Sequence, residues 1–322
     1  MEKNMSYLDL LNEKFTVRRK PEEKKIFRDF VLSEMKKKDV SARVETTSDG
    51  KNENIIVGDP LTAKVVFTAH YDTPAASVFP NIMIPRNQPL FWCYQFVPVI
   101  AMLAVALTVS YLVGMVWLND ERAYMLSFLT LYYGLYFLMF RGFSNPKNYN
   151  DNTSGVATLL SIIDRPDEDM LGQVAFIFFD NEEKGKKGSK AYFTDHKSEM
   201  EDKLLINFDC VGNGETIVFI AKEKAEATRA YQLLKSSFDS EGDYTAEFYP
   251  MRGSESNSDY KNFPLGIGCM ACNKTKKGLL YTPYIHTPKD TVAKDENIEY
   301  ITKNILNFLK ANHKADEEGE NT

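Results

Sequence analysis

Short apolar runs and amphipathic stretches alternate along most of the chain, and each pattern predicts one kind of element. Runs of five or six residues rich in Val, Ile and Phe are typical of strands that are buried on both faces of a sheet. We predict strands at 64–69, 174–179, 204–208, 216–221 and 266–271, and helices at 21–38, 153–163, 189–196, 223–238 and 297–313. Because strands and helices alternate, we expect an α/β fold in which a mixed, mostly parallel central sheet is flanked by helices.

One much longer apolar block interrupts this alternation. Residues 90–118 and 123–140 contain no charged side chain, and only the segment from Asn119 to Arg122 separates them. A helix of about 20 residues crosses the hydrocarbon core of a bilayer, so the two segments predict an inserted two-helix transmembrane hairpin. The alternative is a helix pair buried in a soluble core or in the interface of a homo-oligomer. A lipid environment is favoured because so long an apolar surface has little else to pack against.

Basic residues near the hairpin predict its orientation. Arg86, Arg141 and Lys147 flank the open end, whereas the tip carries a net negative charge. Because cytoplasmic flanks are enriched in Lys and Arg, we expect an integral membrane protein with two spans and a cytoplasmic main domain. The predicted organisation is one discontinuous domain (1–89 and 141–313), the hairpin (90–140) and a disordered acidic tail (314–322).

Composition excludes two classes of function. A formal net charge of −6 argues against a nucleic-acid partner, because phosphate-binding surfaces need clustered Lys and Arg. Cys269 and Cys272 form a CxxC pair, but there is no second pair and both fall in a predicted strand. We therefore interpret them as core residues rather than as a redox or zinc-knuckle motif.

Histidine and acidic residues follow three of the predicted strands. His70 and Asp72 come after the first strand, the pair Glu182 and Glu183 after the second, and Asp209 after the third. Ligands of open α/β sheets bind in the crevice beyond the carboxyl ends of the strands. Two adjacent carboxylates in such a crevice repel each other, and a bound cation would relieve that repulsion.

These residues belong to a series of motifs whose order is informative. The series reads His70-Tyr71-Asp72, Asn150 to Gly155, Glu182-Glu183, Asp209 and His286 to Thr291. In these motifs the chain resembles the co-catalytic two-zinc aminopeptidase family, which includes bacterial leucyl aminopeptidases and glutamate carboxypeptidases. Each motif alone is weak, but the combination is very specific. The resemblance covers roughly residues 21–313 without the hairpin and implies a zinc-exopeptidase-like fold.

The resemblance also implies a role for each site residue. His70 and Asp209 would bind one Zn²⁺, Glu183 and His286 a second Zn²⁺, and Asp151 would bridge the two ions. A mixture of imidazole and carboxylate ligands suits zinc.

Two further acids have implied roles beside the metals. Asp72 would orient His70 by accepting its other ring N–H. Glu182 would be the general base, taking a proton from the attacking water and returning it to the leaving amine.

The substrate pocket is less well defined by the sequence. Ser258 and Asp259 match a family segment near the pocket, although they also suit a capped helix start. The family commonly carries Tyr before the last zinc histidine, but here Ile285 occupies that place, so Tyr281 or Tyr284 would have to substitute.

The expected function is therefore a membrane-anchored zinc exopeptidase, in first place an aminopeptidase. A dipeptidase or aminoacylase, a glutaminyl cyclase, or a non-catalytic membrane-anchored binding module on the same scaffold are the alternatives. Because the hairpin is inserted between two metal-binding motifs, we expect the substrate to be membrane-proximal or partly apolar, such as a peptide or an N-acyl amino acid.

Overall fold

The computed structural model describes residues 5–77, 81–165 and 172–320. In these ranges the helices are α1 (Tyr7–Lys14), α2 (Pro21–Lys37), α3 (Gln88–Tyr111), α4 (Glu121–Arg141), α5 (Gly155–Ile163), α6 (Lys187–Asp195), α7 (Lys197–Met200), α8 (Glu223–Glu226), α9 (Arg229–Ser236) and α10 (Asp295–Glu320). The strands are β1 (Ala42–Thr46), β2 (Glu53–Val57), β3 (Val65–His70), β4 (Val174–Phe179), β5 (Leu204–Phe208), β6 (Thr216–Ala221), β7 (Thr245–Pro250), β8 (Gly266–Lys274) and β9 (Leu280–Tyr281).

These strands of the described chain form one mixed sheet with helices on both faces. The strand order is β1-β2-β4-β3-β5-β8-β6-β7, and β9 pairs with β8. Apolar side chains of α2, α5, α9 and α10 pack on one face of the sheet. Side chains of α6 and α7 and the segment around Tyr260 pack on the other face. The sheet is therefore buried between two apolar layers, as the continuous apolar runs predicted.

The mixed α/β architecture with a central mixed sheet is confirmed, and antiparallel pairs occur mainly toward the edges of the described sheet. The pairs β3–β4, β3–β5, β5–β8 and β6–β7 are parallel, but the pairs β1–β2, β2–β4, β6–β8 and β8–β9 are antiparallel. Short connections such as the one between β1 and β2 allow only antiparallel pairing. Strands β1, β2, β7 and β9 were not predicted. Of these, β1 and β7 are partly exposed and carry charged residues, so they lack the apolar run of the central strands.

Helices α3 and α4 are consecutive and pack against each other. A π-helical turn, Leu112–Trp117, continues α3 toward the tip. At this turn a Cβ atom placed on Gly114 would lie 2.3 Å from the backbone N and Cα atoms of Tyr124. The two backbones are therefore in direct contact at the tip, in the manner of small-residue contacts between membrane helices.

Helix α3 with its π-helical turn, Gln88–Trp117, is the one helix of the described residues that is long and apolar enough to cross a membrane. Only 22% of its most apolar window is buried, which is unlike the core helix of a soluble protein. Helix α4 also exposes large apolar side chains, including Leu126 and Tyr133. By its length and composition alone, the apolar helix suggests an association with a membrane.

The C-terminal end corrects one expectation. Helix α10 continues to Glu320, so residues 314–320 are helical rather than a disordered tail, and residues 321 and 322 lie outside the described part of the chain. Ala, Lys and Glu dominate this stretch and favour helix. In addition, the Arg229 guanidinium donates a hydrogen bond to the carbonyl of Ala315 at 3.1 Å.

The close approach at Gly114 gives a testable prediction. We expect Gly114→Ala to lower the thermal unfolding midpoint of the full chain in detergent, because the added methyl group forces α4 away from α3. Gly134→Ala is the matched control, since nothing lies within 4 Å of a Cβ atom at Gly134, and Ala is favoured over Gly in a helix by roughly 1 kcal/mol. Equal midpoints for the two variants would contradict the contact.

Candidate metal centre

Three adjacent parallel strands direct polar residues to one edge of the sheet. Strands β4 and β5 lie on either side of β3 and run parallel to it. His70 is the last residue of β3, Glu182 and Glu183 follow β4 in a short 3₁₀ turn, and Asp209 directly follows β5. The carboxyl ends of these strands therefore form the crevice that their positions in the sequence predicted.

Asp151 and His286 reach the same crevice from loops that are joined to each other. The carboxylate of Asp290, which follows His286 in the chain, accepts hydrogen bonds from the backbone N–H groups of Asn150 (3.1 Å) and Asp151 (3.0 Å). Asp290 is 3% exposed. It fixes the segment that carries Asp151 against the loop that carries His286.

The Asn152 side chain ties this segment to the sheet. Its amide nitrogen donates to the carbonyl of Phe208, the last residue of β5, at 2.9 Å. Its Oδ1 accepts from the backbone N–H groups of Gly155 (3.1 Å) and Cys210 (3.3 Å). The start of α5 and the residue after Asp209 are thereby held in a fixed relation to Asp151.

The five side chains meet in two groups that share Asp151. On one side, His70 Nε2 lies 3.4 Å from Asp151 Oδ1 and 3.7 Å from Asp209 Oδ1. On the other side, His286 Nε2 lies 3.0 Å from Asp151 Oδ2 and 3.3 Å from Glu183 Oε2. Each carboxylate oxygen of Asp151 therefore faces a different imidazole.

These separations fit divalent ions. Ligand atoms about 2.0–2.1 Å from a tetrahedral Zn²⁺ lie about 3.3 Å from one another, which is close to the four distances between ring nitrogens and carboxylate oxygens. The Glu183 Oε1 atom is buried and has no hydrogen-bond partner among the described residues. A buried carboxylate oxygen without a donor is costly, and a cation would satisfy it. The donor set and its spacing thus fit zinc.

The electrostatics of the cluster point the same way. Burial raises the pKa of Glu183 to about 8. Burial alone would lower the pKa of His286, but the carboxylates of Glu183 and Asp151 outweigh it and raise that pKa to about 10. For Asp151 burial opposes ionisation, yet the imidazoles of His286 and His70 hold its pKa well below the ordinary value. Positive charge within the cluster, which a bound metal ion would supply, therefore stabilises its carboxylates.

Glu182 and Glu183 are held by buried polar groups behind them. The Asp72 carboxylate accepts the backbone N–H groups of Glu182 (2.9 Å) and Glu183 (3.2 Å). Lys24, on α2, donates to the carboxylate of Asp180 (2.5 Å) and to Oδ1 of Asn181 (2.7 Å).

The contacts of Asp72 change the role that the sequence suggested for it. His70 Nδ1 lies 3.1 Å from the backbone oxygen of Asp72 but 3.7 Å from its carboxylate. In this geometry the carbonyl of Asp72 orients the ring, and the carboxylate fixes the two glutamates.

Backbone strain is concentrated around the cluster. Asn181, Cys210, Tyr284 and His286 have φ angles between 54° and 66°. Such left-handed conformations cost non-glycine residues roughly 1–3 kcal/mol each and recur at functional sites. Each of the four is either a residue of the cluster or within two positions of one.

A cavity of about 430 Å³ opens onto the cluster. Its lining includes His70, Asp151, Glu182, Glu183, Asp209 and His286, together with Lys186, Ser256 and Asn257. Residues of α3 complete the wall: Phe91, Tyr94, Gln95 and Pro98. The apolar helix therefore reaches the site directly, which the sequence did not reveal.

The predicted pocket residues lie elsewhere. Ser258 is buried and accepts a hydrogen bond from Asn207 (2.8 Å), and Asp259 is buried and accepts one from Ser189. Because these partners hold them beneath the surface, Ser256 and Asn257 line the cavity in their place. Tyr281 and Tyr284 are not among the described lining residues either.

No tyrosine takes the place before His286 that the resembled family commonly fills with Tyr. Tyr284 is 43% exposed and its ring lies 5.8 Å from the Lys289 ammonium. Ile285 lines the cavity.

The CxxC pair is structural, as the sequence indicated. Cys269 belongs to the apolar cluster on one face of the sheet and Cys272 to the cluster on the other face. Alternation along β8 directs the two side chains to opposite faces, and burial raises the pKa of both thiols.

Sequence reasoning missed the buried cations behind the cluster, which are Lys24 and Arg18. Arg18 is fully buried and donates to the carbonyl of Tyr71 (2.5 Å) and to Oγ1 of Thr153 (3.2 Å). Burial lowers its pKa to about 10, while the nearby Asp72 and Asp151 carboxylates act in the opposite direction. In the sequence Arg18 stands in a run of basic residues and carries no distinguishing signal.

Solved structures share this fold at low sequence identity. A Zn-dependent exopeptidase from Parabacteroides distasonis is 17% identical with a TM-score of 0.57, and the match covers 94% of this chain and 95% of that one. A glutaminyl cyclase from Porphyromonas gingivalis is 14% identical with a TM-score of 0.56, covering 95% and 96%. The LapA aminopeptidase of Legionella pneumophila is 13% identical with a TM-score of 0.55, covering 94% and 68%.

A family model identifies the relationship more specifically. The curated proteins gave no match. The model described as peptidase family M28 matches residues 144–309, which is just over half of the chain. This stretch contains Asp151, Glu182, Glu183, Asp209 and His286. The chain belongs to peptidase family M28.

Proposed function

We propose that the chain is a membrane-anchored exopeptidase that holds two zinc ions and hydrolyses an amide bond next to a free chain end. The observation that carries the proposal is the pair of histidine–carboxylate groups that share Asp151. His70 and Asp209 would hold one ion, Glu183 and His286 the other, with Asp151 between them. When bound, the metal pair polarises the scissile carbonyl and makes a water molecule more acidic.

The side chains of this protein would supply the proton transfers. A carboxylate oxygen of Glu182 lies within 4.8 Å of ligand atoms of His70 and Glu183, so Glu182 reaches the same space without being needed as a ligand. It would take a proton from the attacking water and return it to the leaving amine. Asp72 would keep Glu182 in position through its hydrogen bond to the backbone N–H.

The membrane part of the proposal rests on the helix pair. We propose that residues 90–140 enter the bilayer as a hairpin and that residues 1–89 and 141–313 form one catalytic domain. Ile100 on α3 and Leu112 in the π-helical turn are more than half exposed, and the exposed residues of α4 are similarly apolar. Arg86 and Lys147 near the open end favour a cytoplasmic position for the catalytic domain.

The chain end that is recognised has two candidates. The resemblance of the motifs favours an aminopeptidase. A second candidate is an amidohydrolase for substrates with a free carboxylate, because the ammonium of Lys186 stands in the cavity wall. A glutaminyl cyclase would leave an N-terminal Gln peptide cyclised rather than shortened, which mass spectrometry of the products distinguishes.

The ligand assignment predicts metal content. We expect the full chain, loaded with zinc and dialysed, to retain about two ions, and Asp151→Ala to retain less than one, because Asp151 serves both groups. His196→Ala is the matched control: its ring lies outside the cluster and pairs with Glu45. Elemental analysis by mass spectrometry is the measurement, and full zinc retention by Asp151→Ala would refute the assignment.

If Glu182 is the general base, its replacement should reduce substrate turnover without reducing zinc binding. We expect Glu182→Gln to retain its zinc and lose at least about a hundredfold in kcat, in line with ordinary general-base contributions. The measurement is hydrolysis of a panel of peptides and N-acyl amino acids, followed by mass spectrometry. Near-normal turnover would show that another group takes the proton.

The anchor predicts fractionation behaviour. We expect the full chain to remain with membranes after an alkaline carbonate wash, because an apolar hairpin is held by the bilayer interior. A chain in which a short polar linker replaces residues 90–140 should be recovered in the soluble fraction and should still bind zinc. Release of the full chain by carbonate would contradict membrane insertion.

A further inference from the structure

The α3 side of the cavity is a regular feature rather than a chance contact. Phe91, Tyr94, Gln95 and Pro98 are spaced by three, four and seven positions, which places them on one face of the helix. Three of these four side chains present largely apolar surface. The inserted helix thus contributes one apolar wall to the cavity at the metal centre.

The opposite face of the same helical turns is exposed and also apolar. Trp92, Phe96 and Ile100 are 47%, 56% and 62% exposed. A helix with its side chains is about 10–12 Å thick, so only one helix separates the cavity from the surface that we assign to the lipid. The cavity therefore lies at the level where the hairpin enters the membrane.

The start of α3, where this apolar wall begins, is fixed to the catalytic domain. The Arg86 guanidinium donates to Ser254 (2.8 Å) and lies 4.1 Å above the ring of Tyr249. The Gln88 amide donates to the carboxylate of Glu255 at 2.9 Å. Because the following residues, Ser256 and Asn257, also line the cavity, the helix and the lining loop form one unit.

The charge of the lining favours an anionic substrate group. The four carboxylates of the described lining are those of Asp151, Glu182, Glu183 and Asp209, all of which belong to the metal cluster or serve as base. Two divalent ions would balance them. The Lys186 ammonium donates a hydrogen bond to the neutral amide oxygen of Asn257 (2.7 Å). It therefore remains as the net positive charge of the lining.

We propose that the cavity takes an N-acyl amino acid with a long acyl chain, which lies along the Phe91–Pro98 face while its carboxylate pairs with Lys186. This inference rests on the proposed hydrolase function and names its substrate class. Water adds its oxygen to the acyl carbon, the amide C–N bond breaks, and the nitrogen leaves as the amine after receiving a proton through Glu182. The products are a fatty acid and a free amino acid.

The dimensions agree with this assignment. A cavity of about 430 Å³ lies within the range of roughly 300–1,000 Å³ that is usual for small-molecule sites. It accommodates the amino acid, the amide and the first part of the acyl chain. The remainder of the chain would extend along α3 toward the membrane interface.

Four substrates test the proposal with the zinc-loaded full chain in phospholipid vesicles. They are N-dodecanoyl-alanine, its carboxamide analogue N-dodecanoyl-alaninamide, N-acetyl-alanine, and leucine p-nitroanilide with a free amine. We expect N-dodecanoyl-alanine to have the highest kcat/KM, because burial of each methylene strengthens binding about fourfold. Loss of its carboxylate should reduce kcat/KM about 10- to 100-fold, the usual range for a charged hydrogen bond.

Matched variants test the role of Lys186 and the role of the Phe91–Pro98 face separately. Lys186→Met should reduce kcat/KM for N-dodecanoyl-alanine about 10- to 100-fold, mainly through KM, and should leave the carboxamide analogue unchanged. Lys187→Met, at the exposed next position, should change neither. Phe91→Ala and Tyr94→Ala should reduce the preference for the dodecanoyl over the acetyl substrate at least about fivefold, whereas Trp92→Ala should preserve it.

The outcomes distinguish a failure of the substrate class from a failure of the proposed hydrolase function. Faster cleavage of leucine p-nitroanilide than of N-dodecanoyl-alanine, or an equal loss for both dodecanoyl substrates in Lys186→Met, overturns the substrate class and leaves the hydrolase intact. Absence of hydrolysis with all four substrates overturns the hydrolase and the substrate class together.

Discussion

The site depends on one constraint: four carboxylates and two imidazoles are brought together in the wall of one cavity. Unit charges about 4 Å apart interact by roughly 4 kcal/mol at an effective dielectric constant of 20, so such a cluster is unfavourable without positive charge at its centre. In the structure the imidazoles His70 and His286 are interleaved with the carboxylates at 3.0–3.7 Å. Zinc ions would provide the same compensation more effectively, and the position of Asp151 between the two rings gives the cluster its paired form.

The surrounding fold holds this arrangement through groups that do not themselves face the cavity. Asp290 fixes the backbone on which Asp151 stands, and Asp72 fixes the backbone of both glutamates. Arg18 and Lys24 supply buried positive charge behind the cluster. The residues in left-handed conformations are themselves held by hydrogen bonds: Asn181 bonds to Lys24 and Asn52, the Cys210 N–H donates to Asn152, and the His286 carbonyl accepts from the Ser77 N–H. Hydrogen bonds within the protein thus position the side chains of the centre.

Much of this site could be predicted because the ends of the strands can be recognised from the apolar runs in the sequence. The apolar runs ending at Ala69, Phe179 and Phe208 marked the edge of the sheet, and the polar residues that follow them lie there. Asp151 and His286 come from loops whose path no local pattern determines, and only the order of the motifs pointed to them. Asp290 stood within a recognised motif, but its bonds to the Asp151 segment depend on long-range packing. The positions of Ser258, Asp259, Tyr281 and Tyr284 relative to the cavity depend on loop packing in the same way.

The apolar helix α3 lies directly beside the centre and lines its cavity. Its apolar composition was evident in the sequence, but the use of Phe91 to Pro98 as a cavity wall became visible only in three dimensions.

The most direct test of the account is a crystal structure of the zinc-loaded full chain with anomalous data at the zinc edge. The account predicts two peaks about 3.5–4 Å apart, with Asp151 between them and His70 and His286 on opposite sides. A single peak, or zinc held by residues outside this group of five, would contradict it.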